Sequence, residues 1–173
     1  SRAAAGIRPY VASDAPDEPR LIPDVVVHCP PASEATHMPS SRSVAFFDNQ
    51  FRQQVAERDF ALNPFESAVL PHLRGSVLDF GCGLGNLAIQ AARSGHPTLA
   101  LDGSNTAVEH VQRVARDEGL PLRAAQADLR CYREQHVFDS VVSIGLLMFF
   151  DCPTAHRQLD YLKSIVRPFG IAA

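Results

Sequence analysis

The most informative part of the sequence is Val77-Leu78-Asp79-Phe80-Gly81-Cys82-Gly83-Leu84-Gly85-Asn86. It has the pattern of a short buried strand that carries a carboxylate near its end and runs directly into a glycine-rich turn. Glycine at every second position lets the backbone take positive φ and approach a ligand with no Cβ in between. Helical periodicity resumes at Leu84, so the unpaired N–H groups of a helix start are expected to point at the ligand. The pattern predicts a nucleotide-type cofactor site.

The spacing of the glycines distinguishes two classes of cofactor. A dinucleotide fingerprint is G-x-G-x-x-G, whose third glycine allows close packing of helix on strand. Here the spacing is G-x-G-x-G, Asn86 stands where a dehydrogenase has Gly or Ala, and Asp79 precedes the first glycine by two residues. A glycine-rich turn alone is a weak signal, and an ordinary tight turn is the alternative. The features that follow along the chain reduce the weight of that alternative.

Composition excludes several other functions. A chain of 173 residues with 46% hydrophobic residues suits one globular domain. A net charge of -3 without a basic run predicts no nucleic-acid partner. No apolar stretch approaches the length of a membrane span, and residues 1–20 lack the apolar core of a signal peptide. Four scattered cysteines without a C-x-x-C pair favour reduced thiols in a cytoplasmic protein.

The first 40 residues differ in character from the rest of the chain. They are rich in Pro, Ala and Ser and have no sustained hydrophobic period. We therefore expect residues 1–40 to be an extension, partly ordered or flexible, before a domain over residues 41–173. His28, Cys29 and His37 lie in this extension, but they have no fourth ligand and no recognised spacing. The sequence predicts no metal site.

Helices and strands alternate from Val44 onward. The spacing of Phe46, Phe47, Phe51 and Val55 predicts an amphipathic helix, and Asn63-Pro64-Phe65-Glu66 has the N-cap, Pro and Glu of a helix start. Further elements are expected as follows: strands at 76–80, 98–101, 121–125 and 137–144, helices at 84–94 and 104–118, and a helix capped by Thr154 that buries Leu159, Leu162, Ile165 and Val166. Alternation of this kind predicts an α/β fold, Rossmann-like and doubly wound, with a mostly parallel sheet and helices on both faces.

Ligands of doubly wound sheets bind at the carboxyl ends of the strands, and four predicted strand ends carry suitable groups. They are Asp79, Gly81, Cys82, Gly83 and Gly85 after the first strand, Asp102, Gly103 and Ser104 after the second, Asp128 and Leu129 after the third, and Ser143, Ile144 and Gly145 after the fourth. Asp102 follows the first glycine by about twenty residues, where an acid can accept hydrogen bonds from both ribose hydroxyls. Each group also has a structural alternative: Asp102 can start a turn, Asp128 can cap a helix, and Ser143 can be a satisfied buried hydroxyl.

Taken together, these features resemble the class I methyltransferases that use S-adenosylmethionine (SAM). Their motif I is D/E-x-G-x-G-x-G, and the resemblance extends from about Phe46 to the end of the chain. It implies SAM as the cofactor, with residues 81–83 against its methionine portion and Asp79 near its amino group. It also implies that Asp102 binds the ribose, that Asp128 with Leu129 reads the adenine, and that residues 143–145 face the methyl group.

A narrower resemblance concerns the acceptor. Residues 137–143, VFDSVVS, followed by Met148-Phe149-Phe150, are similar to the tellurite-resistance methyltransferase group. This implies a small-molecule acceptor, and a soft anionic acceptor would need no general base. The candidate bases are His72, His136 and Asp151, for which a surface position is the alternative, so the catalytic residues remain unassigned. Phenylalanines 46, 47, 149 and 150 either wall the acceptor pocket or pack in the core.

The chain departs from the family at its C-terminal end. The family's sheet has seven strands closed by a hairpin, whereas residues 167–173 have the pattern of a turn and the start of the next strand. We therefore expect a C-terminally incomplete sheet, whose exposed edge favours a homodimer. Two other functions stay open: a non-catalytic SAM-binding protein, and an NAD-dependent oxidoreductase, which the glycine spacing and Asn86 disfavour.

Overall fold

The computed structural model describes residues 42–58, 60–133 and 136–173. The predictions for the N-terminal extension and for its histidines and cysteine lie outside these residues. In the described part, helices are α1 (Arg42–Glu57), α2 (Pro64–Val69), α3 (Asn86–Arg93), α4 (Asn105–Glu118) and α5 (Cys152–Ser164), with 3-10 turns at Leu70–His72 and Leu147–Phe149. Strands are β1 (Val77–Phe80), β2 (Thr98–Asp102), β3 (Leu122–Gln126), β4 (Phe138–Val142) and β5 (Val166–Ala172).

The strands form one sheet in the order β3-β2-β1-β4-β5, and all neighbours pair in parallel. The chain moves outward from β1 through β2 to β3, then returns to the other side of β1 with β4. The carboxyl ends of β1 and β4 therefore flank the point where the strand order reverses, which is where such sheets bind ligands. This topology confirms the predicted doubly wound α/β fold, and β5 confirms the strand expected from residue 167 onward. Homodimerisation through the sheet edge stays a prediction.

Helices cover both faces of the sheet, as predicted. On one face, Leu78, Phe80 and Leu99 form a core with Leu162 and Ile165 from the end of α5. On the other face, a cluster that includes Ala88 and Ala92 of α3 with Val111 and Ala115 of α4 packs around Ala100. Strand β1 lies at the centre of the sheet, so all four of its residues are buried. This central strand fixes the place of the glycine loop that follows it.

Local signals set three of the helix ends. Asn63 Oδ1 accepts from Glu66 N at 2.9 Å while Glu66 Oε2 accepts from Asn63 N at 2.7 Å, so α2 begins with the predicted capping box. Ser104 caps α4 through Ala107 N, and Gly119, with φ +63°, ends it. These three boundaries were predicted from residue types alone, because each depends on neighbours within one helical turn.

The prediction for the last helix is wrong at both ends. Asp151, not Thr154, is the N-cap of α5, and its two carboxylate oxygens accept from Thr154 N at 2.8 Å and Thr154 Oγ1 at 2.9 Å. Val166 begins β5 instead of continuing the helix. Leu159 is 39% exposed, whereas Gln158 is fully buried. Leu162 and Ile165 are buried as the spacing predicted, so the prediction fails on this face only at Leu159, whose place Gln158 takes.

Two further expectations are tested in part. Among the described residues, no helix has the length and apolar character needed to cross a membrane. Cys82 and Cys152 carry free thiols in the described part of the chain. Cytoplasmic location and the absence of a nucleic-acid partner stay predictions.

Candidate functional site

A cavity of about 800 Å³ lies at the carboxyl ends of the strands. This volume falls within the range of about 300–1,000 Å³ that is usual for small-molecule sites. Most of the predicted site residues line it: Gly81, Asp102, Gly103, Ser104, Asp128, Leu129, Ile144 and Gly145. The others do not line it: Asp79, Cys82, Gly83, Gly85 and Ser143. The structure thus brings the four predicted strand ends together around one space.

Of the three glycines in the loop, only Gly81 lines the cavity. Gly81 has φ +87°, and a Cβ there would lie 2.9 Å from Leu146 Cδ2, so only glycine fits. A Cβ on Gly83 would lie 3.2 Å from Phe51 Cζ, and one on Gly85 would lie 2.5 Å from Val111 Cγ2. The later glycines therefore let α1 and α4 pack closely on the loop.

The start of α3 does not reach the cavity, contrary to the expectation that its N–H groups point at the ligand. Asn86, the first residue of α3, donates from Nδ2 to Ala61 O at 3.1 Å and does not line the cavity wall. Phe51 lies over Gly83, three residues before this helix start. Helix α1 and the segment before α2 therefore pack on the glycine loop and on the start of α3.

Asp102 is held by the loops on either side of it. Its Oδ2 accepts from Gly83 N at 2.9 Å and its Oδ1 accepts from Ser104 N at 2.8 Å. Burial raises the pKa of Asp102, and the hydrogen bonds from backbone N–H groups oppose that rise. A carboxylate has about four acceptor positions, so each oxygen can accept a further hydrogen bond at the cavity wall. The carboxylate that the sequence predicts to bind ribose is therefore held in one orientation.

Asp79 lies beneath the loop and not on the cavity wall, with 5% of its surface exposed. Burial, and then the negative charges of Glu66 and Asp102, raise its pKa to about 7. The same kind of burial raises the pKa of the Cys82 thiol well above its usual value, so Cys82 is not an activated nucleophile.

The raised pKa of Asp79 predicts a pH effect on stability. The folded state binds the proton of the Asp79 carboxyl more tightly than the unfolded state does. Protonation of Asp79 therefore contributes its full stabilisation of the fold below pH 3.8, and this contribution is lost as the pH rises through about 7. The loss is on the order of a few kcal/mol. In urea unfolding, the wild type should lose stability relative to Asp79→Asn between pH 4 and pH 8. Asp117→Asn, which removes an exposed carboxylate on α4, is the matched control; a pH-independent difference for Asp79→Asn would contradict the assignment.

Asp128 is already paired. Arg130 donates from Nε to Oδ1 at 2.8 Å and from Nη2 to Oδ2 at 2.6 Å, and its backbone N donates to Oδ1 at 3.0 Å. The Arg130 guanidinium holds the pKa of Asp128 below its usual value. Sequence analysis missed Arg130, although an arginine two residues after a predicted ligand acid was a visible signal. Asp128 O also accepts from Cys131 N and Tyr132 N, which makes a short turn after β3.

Helix α1 and the β4–α5 connection supply the rest of the wall. Of the predicted aromatic wall, Phe47, Phe149 and Phe150 line the cavity, and the rings of Phe47 and Phe149 meet edge to face at 4.9 Å. Phe46 is 65% exposed and does not line it, so neither the pocket wall nor core packing describes this residue. Further lining residues missed by sequence analysis are Ser43, Val44, Gln50, Phe51, Gln54, Gln126 and Leu146.

None of the three candidate bases is poised for proton transfer. Asp151 lines the cavity, but both of its oxygens cap α5. His72 and His136 lie away from the wall, as the surface alternative predicted. Ser143 Oγ is buried and makes no hydrogen bond within the described part of the chain, so it is not the satisfied hydroxyl of the structural alternative.

Comparison with known proteins decides the family. A family model of the methyltransferase domain matches residues 77–170, more than half of the chain. The chain belongs to the methyltransferase domain family. That membership confirms the predicted resemblance and SAM as the cofactor of the family.

Individual relatives of this methyltransferase domain are distant. Hemagglutinin 1 of Eikenella corrodens is 29% identical over 94 residues, which is 54% of this chain and 31% of that protein. A structure reported for the conversion of a disulfide bond into a thioacetal group during echinomycin biosynthesis is 28% identical, with a TM-score of 0.60. The alignment covers 76% of this chain and 59% of the chain in that structure. TehB from Haemophilus influenzae has a TM-score of 0.61 at 19% identity, over 72% of this chain and 44% of TehB.

The chain thus spans between 31% and 59% of the length of these proteins. The likeness to TehB confirms the similarity to the tellurite-resistance group at the level of the fold.

Proposed function

We propose that this domain binds SAM in the cavity and transfers its methyl group to a small-molecule acceptor by in-line displacement. The observation that carries the proposal is the Asp102 carboxylate, fixed by Gly83 N and Ser104 N at the wall of a cavity of ligand size. SAM supplies a methyl group on a positively charged sulfur, which becomes neutral when the methyl group leaves. The work left to the protein is to bind and align the two partners.

The lining residues suit such a cofactor. Asp102 would accept hydrogen bonds from the ribose hydroxyls, and the backbone of Gly81 would lie against the methionine portion. Asp128 and Leu129 would lie against the adenine, with Asp128 using the acceptor positions that Arg130 leaves open. Gly145, where a Cβ would meet open space, would border the reacting methyl group.

Charge at the glycine loop favours a cationic ligand over a dinucleotide. Asp79 and Asp102 place two carboxylates beside the loop, and they interact repulsively. A positively charged ligand would relieve this repulsion, whereas a pyrophosphate would add to it. Packing of α1 and of the segment before α2 on the start of α3 also disfavours a dinucleotide. The NAD-dependent alternative therefore has little support.

The wall also indicates the kind of acceptor. Among the described lining residues, the carboxylates of Asp102, Asp128 and Asp151 are each held in place by protein groups, and no histidine is present. An acceptor that is nucleophilic without deprotonation, such as a soft anion, matches this wall best. The aromatic side chains of Phe47, Phe149 and Phe150 would hold it and exclude water from the reacting atoms.

The test is transfer of label from methyl-labelled SAM to a panel of thiol, selenium, tellurium and small-amine acceptors. For the acceptor that reacts, Phe149→Ala is expected to raise KM by about 3- to 10-fold, because it removes an aromatic wall contact. The dissociation constant of S-adenosylhomocysteine should change by less than about twofold in the same variant. Phe65→Ala is the matched control, since Phe65 is 73% exposed on α2 and away from the wall. Cofactor binding without label transfer to any acceptor would support the non-catalytic alternative.

A further inference from the structure

The turn that follows β3 is fixed against the core of the domain. Asp128 O accepts from Cys131 N at 3.1 Å and from Tyr132 N at 2.9 Å, which closes the turn. The Tyr132 side chain is fully buried, and its ring lies 6.3 Å from that of Phe80 on β1. The backbone that carries Asp128 is therefore held in place relative to the central strand.

Helix α5 holds the same turn through Gln158, whose side chain is fully buried. Gln158 Nε2 donates to Leu129 O, and Gln158 Oε1 accepts from Arg133 Nη1 at 2.7 Å. Arg133 Nη1 also donates to Tyr132 O at 2.6 Å, and the Arg133 guanidinium lies 4.6 Å from the centre of the Tyr161 ring. A buried amide with a partner at each polar end favours a single arrangement of the backbone that it joins.

The Asp128 side chain would keep its rotational freedom without Arg130. This side chain is 41% exposed, and an exposed carboxylate that is not held rotates in water. Arg130 engages both oxygens, from Nε to Oδ1 at 2.8 Å and from Nη2 to Oδ2 at 2.6 Å. A guanidinium fork of this kind fixes the plane of the carboxylate, which a single charged donor cannot do.

The acceptor positions of Asp128 are unequally used. Oδ1 accepts from Arg130 N at 3.0 Å and from Arg130 Nε, so both of its acceptor positions are filled. Oδ2 accepts only from Arg130 Nη2, which leaves it one position. Asp128 and Arg130 both line the cavity. The pair therefore offers a ligand a single acceptor position, on an oxygen whose place the guanidinium fixes.

We propose that Arg130 sets the selectivity of the cofactor site for the amino group of adenine, by holding Asp128 Oδ2 as a single fixed acceptor. The inference rests on the proposed cofactor site. Arg130 is a positioning residue, because it acts on the adenine through Asp128. A purine with an N–H donor satisfies the open position on Oδ2, whereas a purine without one leaves a charged acceptor unpaired. A site built to receive an N–H group discriminates strongly against a ligand that lacks it.

The test compares two probes by calorimetric titration. They are S-adenosylhomocysteine and its purine analogue, in which hydrogen replaces the adenine amino group. The selectivity ratio is the dissociation constant of the purine analogue divided by that of S-adenosylhomocysteine. Arg130→Met removes the guanidinium but keeps an unbranched apolar stem at the cavity wall.

Arg93→Met is the matched control. Arg93 makes the same kind of fork with Glu118, from Nε to Oε2 at 2.7 Å and from Nη2 to Oε1 at 2.5 Å. The Arg93 side chain is 42% exposed, close to the 38% of Arg130, and it does not line the cavity. Urea unfolding verifies that both variants are folded under the conditions of the titration.

The wild type is expected to bind S-adenosylhomocysteine about 10- to 100-fold more tightly than the purine analogue, the effect of one hydrogen bond to a charged group. Arg130→Met should lower the selectivity ratio by about three- to tenfold, because the ligand must then order a carboxylate that the protein no longer holds. Arg93→Met should leave the ratio within about twofold of the wild-type value.

The selectivity ratio separates positioning of Asp128 from other roles of Arg130. Loss of a structural contact, or of a direct contact between the guanidinium and the purine, would weaken both probes equally. An unchanged ratio in Arg130→Met, or an equal fall in Arg93→Met, would therefore overturn the inference. Equal binding of the two probes by the wild type would also overturn it and would leave SAM binding intact. A wild type that binds neither probe would overturn the proposed function itself.

Discussion

Asp102→Ala is expected to weaken binding of S-adenosylhomocysteine by about 100-fold or more. The variant removes the carboxylate expected to accept from the ribose hydroxyls, and each hydrogen bond to a charged group contributes about 1.5–3 kcal/mol. It also frees Gly83 N and Ser104 N, which Asp102 now holds at 2.9 and 2.8 Å, so the loops after β1 and β2 lose their common anchor. Calorimetric titration measures the change in dissociation constant.

Asp139→Ala is the matched control for Asp102→Ala. Asp139 Oδ2 accepts from Ser76 N and from Ser76 Oγ, both at 2.8 Å, so this carboxylate also holds a neighbouring loop through two hydrogen bonds. It lies at the opposite end of the sheet, near the start of β4. We expect Asp139→Ala to lower the free energy of unfolding and to leave cofactor affinity unchanged. Equal losses of affinity in the two variants would show that Asp102 acts through stability alone.

Gly85→Ala is expected to destabilise the fold by about 3 kcal/mol, because it adds a steric overlap to an unfavourable backbone conformation. Gly85 has φ +70°, and its Cβ would lie 2.5 Å from Val111 Cγ2 in the core between α3 and α4. Urea unfolding measures the loss. Since Gly85 does not line the cavity, affinity for S-adenosylhomocysteine measured well below the unfolding transition should change by less than about threefold.

Gly119→Ala separates the cost of the unfavourable backbone conformation from the cost of the steric overlap. Gly119 has φ +63°, but a Cβ there meets nothing within 4 Å, so only the backbone cost of about 1 kcal/mol applies. In a double-mutant cycle, Val111→Ala should reduce the additional cost at Gly85, because it removes the methyl group that the new Cβ would strike. Equal destabilisation at both glycines would rule out the overlap with Val111.

The elements could be predicted from the sequence where their signals are local. The capping box at Asn63, the cap at Ser104 and the stop at Gly119 each depend on residues within one turn. The error at Thr154 was avoidable. Pro153 is a residue of the first helical turn, so the cap precedes it, and Asp151 is the nearest preceding residue of a type that caps helices. The four strand ends that carry site residues followed from the alternation of elements, because parallel strands end at one edge of the sheet.

The roles of individual site residues depended on contacts between distant parts of the chain and could not be predicted. Gly85 matches a cofactor motif, but Val111 on α4 makes it a packing residue. Asp48 meets Ser104 across 56 positions, a contact that no local pattern indicates. Asp79 occupies the motif position of a ligand acid, but the sheet and α3 bury it beneath the loop. In each case packing decided which atoms of the motif reach the cavity.

The most direct test of the cofactor assignment is calorimetric titration of the wild-type chain with S-adenosylhomocysteine, SAM and NAD in parallel. We expect micromolar dissociation constants for the two sulfur compounds and no heat of binding for NAD. Binding of NAD, or no binding of either sulfur compound, would contradict the assignment of SAM as the cofactor.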